Sequence, residues 1–152
     1  MLITRYVMSD ENVVKLVNKR RDRILVVEDD ADARELMEAV LTQAGYSVDV
    51  AEDGFVALDK LARLVPDLML TDMRMPGMHG VDLIHRVKQI RDDVPAVLTT
   101  GVDNLDLETA AEGYGAVACL IKPINLEDLL WTIECALACR VGSKHRKTFG
   151  MR

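Results

Sequence analysis

Three short apolar runs in this chain end in chemistry that makes sense only if they share one edge of a sheet. Ile24-Leu25-Val26-Val27 runs into Glu28-Asp29-Asp30, Leu68-Met69-Leu70-Thr71 into Asp72, and Leu120-Ile121 into Lys122-Pro123. Between such runs lie segments whose apolar residues recur at helical spacing, the alternation expected of repeated βα units. Strands joined by crossover helices run parallel, so the residues that end them meet at one edge, where open α/β sheets bind their ligands. The pattern predicts strands at 24–28, 47–51, 67–71, 95–100 and 118–122. All but the second are apolar nearly throughout, as expected of strands covered on both faces. Ser47-Val48-Asp49-Val50-Ala51 alternates instead, which suits an edge strand.

The intervening segments read as helices. Leu36, Met37, Val40 and Leu41 form the first stripe. Leu58, Leu61, Leu64 and Val65 form the second, and Val81, Ile84 and Val87 the third. The fourth, around 104–113, is weak and interrupted by Gly113 and Gly115. The fifth is strong, with Leu126, Leu129, Leu130, Ile133 and Leu137 on one side. The fold class that follows is α/β, a doubly wound five-stranded parallel sheet flanked by five helices. Residues 1–22 form an N-terminal extension in which 9–21 can make an amphipathic helix, with Ser9 as N-cap and Val13, Val14 and Val17 on one side. Residues 23–141 form the domain, and 142–152 a basic tail expected to be mobile.

Composition narrows the function classes. The 152 residues are enough to bury about 70% of the unfolded surface in one domain without a staple. A net charge of −6 argues against nucleic acid as a whole-surface partner. The basic clusters at the two ends read as solvated tails. Three cysteines, Cys119, Cys135 and Cys139, show no CxxC or Cys/His spacing, which fits a reducing cytoplasm better than disulfides or zinc. No run of about 18 apolar residues is present, so no membrane span is expected. The N-terminal apolar stretch turns polar too early for a signal peptide.

Glu28, Asp29 and Asp72, brought together at one sheet edge, would repel one another unless a cation compensates. Oxygen-only donors favour Mg²⁺ or Mn²⁺ over zinc. A carboxylate beside such an ion can accept a phosphoryl group as an acyl phosphate. Lys122 would supply a positive charge for the new phosphate, and Thr100, ending the fourth strand, a hydroxyl donor. Any one of these residues alone would be an ordinary solvated loop residue. All five at successive strand ends of one sheet are not.

The motifs Ile-Leu-Val-Val-Glu-Asp-Asp (24–30), Pro-Asp-Leu-Met-Leu-Thr-Asp-Met-Arg-Met-Pro-Gly-Met-His-Gly (66–80), Val-Leu-Thr-Thr-Gly (97–101) and Ile-Lys-Pro-Ile (121–124) resemble the receiver domain of two-component response regulators over about residues 23–141. The resemblance implies a flavodoxin-like strand order 2-1-3-4-5. It implies Asp72 as phosphoacceptor and Glu28 and Asp29 as the metal-binding pair, Asp29 directly and Glu28 through water. The Arg74 backbone carbonyl would be a further ligand of Mg²⁺ (or Mn²⁺). Thr100 would be the switch hydroxyl, Gly101 a backbone donor to phosphate, Lys122 the phosphate-binding lysine, and the bond before Pro123 cis. One position departs: the family often has an aromatic residue three before the lysine, where this chain has Cys119. A thiol buries less area than a rotating ring, so a smaller switching movement is expected there.

The implied function is a single-domain response regulator. It would take a phosphoryl group from a sensor histidine kinase or histidine phosphotransfer protein and signal by protein contact, with no enzymatic activity beyond its own phosphorylation and dephosphorylation. The C-terminal tail is too short for a DNA-binding output domain. The alternative is a receiver-like interaction module that no longer needs phosphate. A haloacid-dehalogenase-type phosphatase would want Asp-x-Asp on the first strand, which is missing. Opposite the fifth helix's core stripe, Trp131, Cys135, Ala138 and Cys139 form an apolar outer face. It is expected to be covered by the N-terminal helix or by a second copy, in a homodimer through the fourth helix, fifth strand and fifth helix.

Overall fold

The computed structural model describes residues 21–101 and 105–149, so the helix expected at 9–21 lies outside the described residues in all but its last position. The elements, in chain order, are β1 (Arg23–Val27), α1 (Ala31–Gln43), β2 (Ser47–Ala51), α2 (Gly54–Arg63), β3 (Leu68–Asp72), α3 (Gly80–Ile90), β4 (Ala96–Thr100), α4 (Leu105–Tyr114), β5 (Ala118–Ile121) and α5 (Leu126–Phe149). All five strands pair in parallel in the order β2-β1-β3-β4-β5, which is the expected doubly wound sheet. The alternating strand β2 is an edge, as its pattern required.

Successive side chains of a strand point to opposite faces, so each strand feeds two cores. Leu25, Val27, Met69 and Leu98 pack with Ala57, Leu61, Leu83, Ile84 and Val87 beneath α2 and α3. Ile24, Val26, Leu68, Leu70 and Val97 pack on the other face with Leu41 of α1 and Leu129 and Ile133 of α5. Both sheet faces are therefore covered, which is why β1, β3 and β4 read as unbroken apolar runs.

The helices depart from the expected stripes at their margins. Leu36 is 66% exposed, because at 3.6 residues per turn it stands about 100° from Met37, at the edge of the arc that α1 presents to the sheet. Leu64 and Val65 fall beyond the end of α2, and Ala57 takes the core place beside Leu61. Leu126, the first residue of α5, is exposed above the packed stretch. That helix also continues to Phe149, past the boundary expected at 141.

Candidate functional site

The C-terminal edge of the sheet gathers the charged strand ends. β1 delivers Glu28, whose backbone N–H still donates to the Ala51 carbonyl at 3.0 Å and so holds the ladder direction one residue past the strand. Asp72 is the last residue of β3 and pairs in register with Thr99 of β4. One carboxylate oxygen from each of Glu28, Asp29 and Asp72 lies within 4.8 Å of the others. Lys122, just past β5, reaches both buried acids: its Nζ stands 3.1 Å from Asp72 Oδ1 and 3.4 Å from Glu28 Oε2. The bond between Lys122 and Pro123 is cis.

Asp30 follows the acidic pair but has another task. Its carboxylate accepts from the Ala33 N–H at 2.8 Å and caps α1, so Glu28 and Asp29 are the two acids of this turn that face Asp72. Electrostatics reflect the crowding. Burial and then the charge of Asp72 push the Glu28 carboxyl above its ordinary range, against the pull of Lys122. Burial works against the charge on Lys122, but its hydrogen bonds and attraction to Asp72 and Glu28 outweigh that, and its ammonium is held more firmly than usual.

Thr100 ends β4 and is buried, with Gly101 exposed directly after it. Cys119 pairs in register with Leu98, two residues before Thr100, and packs against the core beneath α2 and α3. Alternation therefore puts Thr100 and Cys119 on the same face of neighbouring strands. Burial, and then the charge of Glu108, push the Cys119 thiol up. Arg74 lies in the loop after β3 with its side chain exposed. Trp131 is 67% exposed, and Cys135 and Cys139 are exposed free thiols on the same helix. His79 precedes α3 without a side-chain cap, and the His85 ring meets Tyr114 edge-on at 5.8 Å.

Three residues at the site were given no role of their own by the sequence, although Thr99 and Gly80 lie within the motifs at 97–101 and 66–80. Thr99 turns toward the α1 side of the sheet, where it lines a recess of about 50 Å³ with Glu28, Met37, Asp72 and Lys122. Arg34 reaches back from α1 to the acidic turn. Gly80 opens α3 hard against the Asp72 carbonyl, and its N–H donates to the Met73 carbonyl at 2.8 Å. Their contacts become visible only when the elements are assembled.

The donor set can be tested against a metal on its chemistry. Three carboxylates on a partly buried edge, with no thiol or imidazole among them, fit a hard divalent cation such as Mg²⁺. Among the described residues no helix is long and apolar enough to cross a membrane.

A family model described as the response regulator receiver domain matches residues 24–134. The response regulator MprA of a Mycobacterium species is 39% identical over 115 residues, 76% of this chain and 50% of MprA. The DNA-binding transcriptional regulator NtrC of Escherichia coli is 34% identical over 78% of this chain, and the match takes in 25% of NtrC. The chain therefore spans about half the length of one curated relative and a quarter of the other. Among solved structures, the receiver domain protein (CheY-like) of Methanospirillum hungatei superposes with a TM-score of 0.77 at 28% identity, covering 82% of this chain and 99% of that one.

Proposed function

The chain belongs to the response regulator receiver domain family, and from that premise we propose that it accepts a phosphoryl group onto Asp72 and signals through protein contact. Receivers of two-component systems bind Mg²⁺ at an acidic cluster. Here Glu28, Asp29, Asp72 and the Arg74 carbonyl are the groups assigned to hold it. The observation that carries the reading is the meeting of three carboxylates within 4.8 Å of one another beneath the Lys122 ammonium.

The chemistry follows from that arrangement. An Asp72 carboxylate oxygen attacks phosphorus, the new O–P bond forming as the P–N bond to a donor imidazole breaks. Mg²⁺ held by those groups would neutralise charge on the phosphoryl oxygens. Lys122, already hydrogen-bonded to Asp72, offers its ammonium to the product phosphate, and Thr100 and Gly101 close the site from β4. Thr100 and Cys119 then form the position through which phosphate is felt on the α4 side. The donor is a sensor histidine kinase or a histidine phosphotransfer protein, and the setting is the cytoplasm.

The test is intact mass after incubation with a small-molecule phosphodonor, with Mg²⁺ and with the metal removed by chelator. One phosphoryl group is expected with metal, and little or none without it. No uptake in either condition would leave a phosphate-independent interaction module as the better reading.

The outer face of α5 is the surface we assign to contact with a second copy, because Trp131, Cys135 and Cys139 leave it exposed and apolar. Light scattering is expected to report a dimer that Trp131→Glu dissolves. A wild-type monomer at every concentration, phosphorylated or not, would rule out this face as a self-contact.

A further inference from the structure

We propose that Arg34 is a positioning residue for the acidic pair, holding the β1–α1 turn so that the Glu28 and Asp29 carboxylates are presented to the cation. The proposal rests on the metal-binding role given to that pair above. Arg34 Nη1 donates to the Glu28 carbonyl at 2.8 Å and to the Asp29 carbonyl at 3.4 Å. The same residue's backbone N–H donates to the Asp30 carbonyl at 2.9 Å. One residue thus engages the backbone of all three acids in succession.

The turn needs such a partner. Glu28 has left the β1 strand and Asp30 caps α1, so the carbonyls of Glu28 and Asp29 fall between sheet and helix, where neither ladder satisfies them. Three carboxylates drawn to within 4.8 Å also push the turn outward. A guanidinium on the carbonyl side opposes that push and leaves the carboxylate oxygens free. Lys122, by contrast, occupies Glu28 and Asp72 oxygens directly. Both side-chain bonds come from Nη1, which the long, planar guanidinium carries back from α1 to the two neighbouring carbonyls.

Charge alone and positioning predict opposite signs. Deleting a nearby cation would by simple electrostatics tighten binding of a divalent ion. Loosening the turn that presents its ligands would weaken it, and loss of a group that orients metal ligands typically costs on the order of tenfold in affinity. Calorimetric titration of the metal-free protein with Mg²⁺ separates them. Arg34→Ala is expected to weaken Mg²⁺ binding about tenfold, and Arg34→Lys to recover part of the loss. Leu61→Ala, which removes a buried side chain under α2 away from the turn, is expected to lower the melting temperature and leave Mg²⁺ affinity unchanged.

Unchanged or tighter binding in Arg34→Ala overturns the proposal. If that variant does not fold, Arg34→Lys decides alone, and wild-type affinity there overturns it equally. Wild-type protein that takes up no Mg²⁺ would bring down the proposed function, and this inference with it. Normal binding by wild type and Arg34→Ala alike removes only the role of Arg34.

Discussion

Replacing Asp72 by asparagine is expected to abolish phosphoryl uptake from a small-molecule donor while leaving the fold in place. The exchange keeps the shape of a side chain buried at the end of β3 and replaces the nucleophilic carboxylate by a neutral, far less nucleophilic amide. It also takes one charge out of a group of three carboxylates within 4.8 Å of one another, so the metal-free variant should be no less stable than the parent. Lys122 keeps Glu28 as a partner at 3.4 Å, so the ammonium is not stranded. Intact-mass measurement checks the chemistry and thermal melting checks the fold. Asp29→Asn, which spares the acceptor and weakens only the metal site, should slow labelling without abolishing it. A wild-type extent of labelling in Asp72→Asn would mean that another group accepts the phosphoryl group.

The second large effect is structural and sits a few residues away. A Cβ on Gly80 would stand 2.2 Å from the Asp72 carbonyl oxygen and 2.8 Å from Leu98 Cδ1. Neither neighbour yields cheaply. The Asp72 carbonyl belongs to a central strand and accepts from Thr71 Oγ1 at 3.1 Å, and Leu98 is buried in the core. The Gly80 N–H is itself tied to the Met73 carbonyl, so α3 cannot back away without losing that bond. Gly80→Ala is therefore expected to cost about 3 kcal/mol, the upper part of the range for overpacking a fixed site. In a domain of this size that lowers the melting temperature by roughly 10 °C. It should also disturb Asp72, because the clash falls on the acceptor's own backbone. Gly113→Ala is the control: it lies in α4 with nothing within 4 Å of its Cβ. The gain in helix propensity there is up to about 1 kcal/mol. Equal melting temperatures for Gly80→Ala and the parent would show that α3 can shift freely.

Much of this is legible in the sequence. Strand ends carry their chemistry in order along the chain, so Glu28, Asp29, Asp72, Thr100 and Lys122 could be picked out from position alone. The alternation in Ser47–Ala51 was enough to put β2 at an edge. Helical period located α3 and the middle of α5 well. It failed for Leu36 and Val65, because spacing identifies a stripe without saying how wide an arc the neighbours cover or where the helix stops.

Sequence by itself determined the class of fold and the acidic, metal-fitting character of one sheet edge. It could do so because a short unbroken apolar run and the residue that ends it are local facts. Only the tertiary structure shows where each acid's carboxylate goes. Asp29 and Asp30 are adjacent and chemically identical, and they diverge because one faces Asp72 while the other caps α1. Only the assembled sheet brings Lys122 to Glu28 across 94 residues of chain. Arg34, Thr99 and Gly80 likewise acquire their places from elements packed around them. Their contacts depend on how the strands and helices come together in space, and no local pattern encodes that.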